Sequence, residues 1–262
     1  MSDPIPLLSH PLHVPSVFRP EDLMQAVRSS RGLPDMPVPA VCILDFDGDL
    51  SDGLSRDPSV GVVSSWACFH TQMLGVTIDG VRCGVVPRTI GGPYAVLIAE
   101  QLHAAGAQVI VGVTSAGRVS PTLPLPCIVV ADEAVRDEGT SLHYMSPSET
   151  MSTPTADLAS QLAAGLASLS QVRRGLVWTT DAPYRETDAQ LQAWSQRGVL
   201  AVEMQAASLF AFGHARRAAV GVVALVSNAV DHTGDQFDTG EHAFRLNVLT
   251  CVARAASAYL ST

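Results

Sequence analysis

Arg88, Ser115, Glu203 and Asn228 share a setting: each stands just beyond a short apolar run. Val85-Val86 leads into Pro87-Arg88-Thr89-Ile90-Gly91-Gly92-Pro93, and residues 109–113 lead into Thr114-Ser115-Ala116-Gly117-Arg118. Residues 128–131 lead into Asp132-Glu133-Ala134-Val135-Arg136-Asp137-Glu138, and residues 176–180 into Asp181-Ala182-Pro183-Tyr184-Arg185-Glu186. Two further runs end in Glu203-Met204 and Ser227-Asn228. Small residues and hydroxyls at such ends let backbone N–H groups approach an anion. Arginine adds charge in a form that matches a phosphate or a carbonyl. Ile90-Gly91-Gly92-Pro93 reads either as a tight turn into a helix or as a turn that brings a helix N-terminus, itself an anion site, close to a ligand. Glu203, between VLAV and MQAASLFAF, reads either as a charge favoured at a helix start or as a carboxylate that holds a ligand. Arg136, Asp137 and Glu138 read as a solvated or paired cluster.

These residues act together only if the apolar runs are strands that end at one edge. In open α/β sheets, ligands bind beyond the carboxyl ends of the strands. The pattern supports such a sheet. Strands are expected within 38–46, 60–63, 73–78, 81–86, 108–113, 126–131, 175–180, 199–201 and 218–227. Asp79-Gly80 between two of them is a hairpin signal. Helices are expected within 18–30, 94–105, 155–168, 188–195 (capped by Thr187), 203–214 and 241–260. Strands alternating with helices give an α/β fold class: a single-domain mixed β-sheet covered by helices on both faces. Residues 1–38 form a Pro-rich N-terminal arm, and residues 39–262 form the domain. The arm and the aromatic segment at 66–71 are expected to pack on a second subunit, because one sheet has no evident place for Trp66 and Phe69.

Composition narrows the chemistry. The 16 basic residues are all arginine, so a Walker-type phosphate loop, a Schiff-base enzyme and a lysine-built pyridoxal phosphate enzyme are excluded. The net charge of −9 argues against nucleic acid or an anionic membrane as partner. No run is long and apolar enough to span a bilayer, and the first residues lack the basic start of a secretory signal. The cysteines Cys42, Cys68, Cys83, Cys127 and Cys251 are odd in number and show no CxxC, so they read as reduced and buried in a cytoplasmic protein.

In their order, the segments 89–119, 129–144, 177–187, 198–213 and 224–231 resemble the nucleoside phosphorylase family. That family includes uridine phosphorylases, bacterial purine nucleoside phosphorylases and methylthioadenosine nucleosidases. The IGGP turn, the DEGTSLHY stretch and DAPYRET look closest to the uridine phosphorylase branch. The resemblance implies a catalytic domain that cleaves the N-ribosidic bond of a uridine-like nucleoside with phosphate, giving free base and ribose 1-phosphate. The alternatives are a nucleosidase that uses water and a nucleoside-binding homologue without turnover. No cofactor or metal is implied, with phosphate as co-substrate. The implied assembly is a homo-oligomer built from dimers, as a trimer of dimers.

The resemblance also assigns positions. Glu203 stands where the family places a sugar-contacting Glu, with Met204 beneath the ribose. The family's second Glu is Gln205 here, which carries no charge to stabilise a developing cation. Ser115 matches the hydroxyl that reaches phosphate and ribose, and Gly117 lies in its turn. The early phosphate loop resembles Asp47-Gly48-Asp49. The family's two phosphate arginines fall at Gly112 and near Asp52, so Arg88 is expected to hold the phosphate with Ser115, and Arg118 is a second replacement. Tyr184 would stack on the base and Arg185 would bond a pyrimidine carbonyl. Asn228 replaces the Asp with which purine-specific members protonate the base. His13 or His10, and His70, match segments that reach a neighbouring subunit's site.

Overall fold

The computed structural model describes residues 5–229 and 242–262. At its centre β1 (Val41–Asp45) lies parallel between β4 (Val81–Pro87) and β5 (Val109–Arg118). Asp45 is level with Pro87 on one side and Val113 on the other, so Arg88 just past β4 and Ser115 two residues further along β5 lie on the two strands that flank β1. The β3 (Leu74–Ile78)–β4 hairpin turns at Asp79 and Gly80, both with positive φ, as the Asp-Gly pair requires. The short β2 (Gly61–Val62) forms the edge beyond β3.

On its other side β5 does something the apolar pattern does not announce. It pairs in parallel with β10 (Ala219–Ala229), and its last two residues pair with β9 (Ala201–Glu203). β10 pairs with β6 (Cys127–Asp137), β6 with β8 (Val172–Thr180), and β8 with β9. The five strands close into a ring, with β7 (Thr150–Ser152) attached to β6. The stretch 114–117, expected as a loop, is therefore strand, because each of its residues finds a partner on β10. β6 likewise runs on through Asp132–Asp137, beyond its apolar start.

The mixed sheet is covered on both faces, as its alternating side chains require. Cys42, Leu44 and Phe46 face one core with α1 (Pro20–Arg31), α3 (Gly92–Ala104) and α6 (Ala206–Arg216). Val41 and Ile43 face a second core with α2 (Asp49–Leu54), α4 (Ala156–Leu166) and α7 (His242–Leu260). Phe46, Phe210 and Phe212 are almost fully buried, each worth roughly 1.5–3 kcal/mol in area removed from water. The remaining helix, α5 (Asp188–Gln196), starts with a complete capping box at Thr187 and Gln190 and covers Trp178 with Leu191 and Trp194. The five cysteines are free and buried.

Two expectations about the surface change. Met24 and Val27 of α1 sit in the first core, so the second half of the arm belongs to this chain's own packing. Trp66 is buried in the same core, and Phe69 lies 5.0 Å beneath the Arg31 guanidinium, which also bonds the Cys68 carbonyl. The chain itself covers Trp66, so that residue does not call for a second subunit.

Candidate active site

The crevice past the ends of β1 and β4, beside Ser115 of β5, is built around carboxylates. Asp45 closes β1 and accepts from the Ser51 N–H at 2.8 Å, the Ser51 hydroxyl at 2.6 Å and the Gly48 N–H at 3.3 Å. It thereby ties the turn at Gly48, whose φ is 91°, to the start of α2. A side chain at Gly48 would have its Cβ 2.7 Å from Arg88 Cγ, so the glycine gives the arginine its place. Arg88 Nη2 lies 2.6 Å from Asp52 Oδ2. Asp52 is the position where the resemblance expected an arginine, so the charge pattern is swapped across the crevice.

Asp47 meets Ser115 with both oxygens. Its Oδ2 accepts from the Ser115 N–H at 2.7 Å, and its Oδ1 from the Ser115 hydroxyl at 3.1 Å. Arg245 of α7, only 2% exposed, lies 3.9 Å from Asp47 and 3.2 Å from Asp49. Motif and resemblance do not single out this arginine in the sequence. It is a charge in the apolar first half of a closing helix, and that is the signal that could have drawn attention to it. Burial raises the Asp47 carboxyl above its ordinary range, against the Ser115 bonds and the Arg245 charge. Arg118 lies three residues beyond Ser115 on a regular strand, so it falls on the opposite face of β5.

Gly112 also has a physical reason. A Cβ there would lie 2.6 Å from Phe46 Cζ, and Phe46 is 1% exposed. The ring fills the space that a longer side chain at 112 would enter. Gly112→Ala is expected to cost about 1–3 kcal/mol through overpacking. Thermal melts check this, and Phe46→Leu in the same chain should return part of the loss, as coupled neighbours do.

A second group forms where β6, β8 and β9 end. Glu203 is the last residue of β9, not the first of a helix, since α6 starts at Ala206. Its Oε1 accepts from the Thr179 hydroxyl at 2.5 Å, and its Oε2 from the N–H groups of Gln205 at 2.6 Å and Ala206 at 2.9 Å. The carboxylate thus satisfies the open end of α6. Burial dominates and pushes its pKa up to about 7, against these three bonds. Gln205 is buried, and its amide oxygen accepts from the Met204 N–H at 3.2 Å. The β5–β9 register pairs Gly117 with Val202. Met204 follows β9 directly and is half-buried.

The 136–138 cluster is paired, with Asp137 exposed and Glu138 buried. Arg136 donates to the Ser141 and Ser148 hydroxyls and to the Ser146 and Met145 carbonyls. Asp137 accepts from Trp178 Nε1 at 3.0 Å. Glu138 is 7% exposed, and its Oε2 accepts from the Ser141 N–H at 2.9 Å and the Ser208 hydroxyl at 2.6 Å. Its polar contacts join β6 to α6, a role that a run of three charges in sequence does not reveal. Gly92 lets the start of α3 approach the same place, since a Cβ there would overlap the Ser208 hydroxyl.

The remaining assigned residues are spread around this group. Asp181 accepts from the Gly139 N–H at 2.9 Å and so anchors the turn Pro183–Arg185. Tyr184 and Arg185 on that turn are exposed, Tyr184 completely. His10, not His13, stacks on His143, with ring centroids 4.2 Å apart. His13 and His70 are exposed. Asn228 pairs along the backbone with Gly117, just after the register of β10 slips. Val230 and Asp231, which end the 224–231 segment, and Glu241 lie outside the described residues. A cavity of about 400 Å³ lies elsewhere, between β6 and α5, lined in part by Arg136, Glu149 and Trp194. Among the described residues there is no metal-ligand grouping, and no helix is long and apolar enough to cross a membrane.

The family model described as the phosphorylase superfamily matches residues 40–261. Guanosine phosphorylase of Halorubrum lacusprofundi is 27% identical over 156 residues, which is 59% of this chain and 64% of that protein. Uridine phosphorylase of Treponema pallidum is 32% identical over 168 residues, covering 58% of this chain and 64% of that protein. The matches thus span a little under two thirds of these relatives. The crystal structure of uridine phosphorylase from Vibrio fischeri superimposes with a TM-score of 0.67 at 22% identity, covering 87% of this chain and 93% of that one. That likeness establishes the shared fold.

Proposed function

From the chain's membership of the phosphorylase superfamily, which the match over residues 40–261 establishes, we propose that it cleaves the N-ribosidic bond of a nucleoside, with uridine-like substrates preferred. The observation that carries this reading is the pairing of β5 with β9 through Gly117 and Val202, which makes the strand of Ser115 a neighbour of the strand that Met204 follows. The Ser115 hydroxyl is suited to an incoming acceptor, and Met204 is suited to lie beneath a ribose. In the reaction the C1′–N bond breaks, its electron pair leaves with the base, and an acceptor oxygen bonds to C1′. Positive charge grows on the sugar in between, and the Asp47 carboxylate beside Ser115 favours it. Tyr184 and Arg185 would have to fold from their exposed turn onto the base to stack and to donate to a pyrimidine carbonyl. No cofactor or metal has a part in these steps.

The acceptor has two readings. The curated relatives' names support phosphate, with ribose 1-phosphate as product. Three observations support water: Asp47 on Ser115, Asp52 on Arg88, and Phe46 beside Gly112. We place the activity in a cytoplasmic homo-oligomer built from dimers, in which His13 and His70 would serve a neighbouring site.

The test is release of free base from uridine, inosine, guanosine and adenosine, with and without phosphate, with the sugar product identified. Uridine is expected to react fastest. Ribose 1-phosphate marks phosphorolysis, and ribose marks hydrolysis. Binding of nucleosides with no base released from any of them would leave only a binding homologue and sink the catalytic reading.

A further inference from the structure

The donors around Asp47 are those a phosphate needs. A backbone N–H and a hydroxyl, both from Ser115, point at its two oxygens at 2.7 and 3.1 Å. A buried guanidinium, Arg245, stands behind it at 3.9 Å. The neighbouring cations carry counter-charges as well: Asp49 shares Arg245 at 3.2 Å, and Asp52 holds Arg88 at 2.6 Å. Asp45, Asp47, Asp49 and Asp52 thus face two guanidinium groups, Arg88 and Arg245, in one crevice. Among the described residues, a dianion entering this space meets more carboxyl groups than guanidinium groups and finds its two Ser115 donors taken.

We propose that Asp47 determines the acceptor by acting as a built-in competitor for the anion seat at Ser115. Phosphate binds there only by displacing the Asp47 carboxylate, whereas water needs no displacement. The inference rests on the reading that this crevice receives the acceptor of a nucleoside-cleaving reaction. It goes further in naming the residue that weighs phosphate against water.

The experiment compares the wild type with Asp47→Asn and Asp47→Ala. Two readouts are taken: thermal stabilisation by inorganic phosphate, and the ratio of ribose 1-phosphate to ribose formed from uridine. Loss of one like charge at a shared seat is expected to lower the half-saturating phosphate by at least about tenfold. The product ratio should move toward ribose 1-phosphate by a similar factor. Equal half-saturation in wild type and both variants overturns the proposal. If neither variant folds, the wild type still decides: half-saturation below about 1 mM phosphate would show a seat open to the anion and overturn it. A variant that gains phosphate binding yet cleaves no nucleoside upholds the role of Asp47 and refutes the reading of the reaction. The two failures therefore remain distinct.

Discussion

Glu203→Ala is expected to lower the stability of the fold by about 2–5 kcal/mol, because two N–H groups at the start of α6 lose their acceptor and remain buried. For a chain of this size that is a fall of roughly 4–20 °C in melting temperature. Turnover should fall with it, since Met204 and Gln205 are held by the same turn. Glu203→Gln keeps the shape and should lose less. The pH dependence separates this account from simple cavity formation. Burial lifts the carboxyl from its ordinary 4.5 to about 7, so the folded state holds a proton that the unfolded state has released. The stability from that proton is present below about pH 4.5 and is lost as pH rises through about 7. The advantage of wild type over Glu203→Gln should shrink across that interval by about 3 kcal/mol. Melting curves at about pH 5 and pH 8 measure it. A difference that stays flat would mean that Glu203 is ionised throughout, and the account of its burial would be wrong.

The same residue shows how much of the molecule can be read in advance. The boundary between a short strand and a helix near 201–206 is visible in the run VLAVEMQAASLFAF, and so is a carboxylate at the junction. What the run does not show is which way that carboxylate turns. The answer depends on Thr179, which lies on another strand and reaches Glu203 only through the β8–β9 pairing. The ring of five strands is hidden for a similar reason. Thr114, Ser115, Ala116 and Gly117 have the composition of a loop, and only the arrival of β10 makes them strand. Periodicity reports local geometry, whereas ring closure depends on partners about a hundred residues away.

Arg88 and Ser115 read as neighbours in the sequence because both follow apolar runs, and β4 and β5 are indeed the two parallel neighbours of β1, although β5 runs on past Ser115 to Arg118. Their counter-ions were not. Asp52 reads as a departure from a family pattern until Arg88 is seen on it. Arg245 and Arg254 look alike in the sequence of the closing helix, yet one is buried against Asp49 and the other is exposed on Asp79. Helix rotation decides between them, and the low amphipathicity of so apolar a helix leaves that rotation unspecified.

Arg245→Met is accordingly expected to be the most damaging single change in the crevice. It removes a buried cation from Asp47 and Asp49 and leaves their carboxylates without it. Breaking a buried pair from one side costs about 3–5 kcal/mol, more than the pair itself contributes. That predicts a fall of roughly 6–20 °C in melting temperature. Arg245→Lys should recover only part of it, because an ammonium reaches one carboxylate where the guanidinium fork reaches two. The loss should also depend on pH. Burial already raises Asp47, and Arg245 opposes that rise, so without the arginine the carboxyl goes up further. Protonated Asp47 needs no counter-ion, so the variant should lie nearer to wild type at about pH 5 than at about pH 8. Joining Arg245→Met to Asp47→Asn removes both charges, and the pair should be less damaging than the separate losses together by about 0.5–3 kcal/mol. Strictly additive losses, with no change between the two pH values, would mean that Arg245 serves the packing of α7 alone and holds no charge in the crevice.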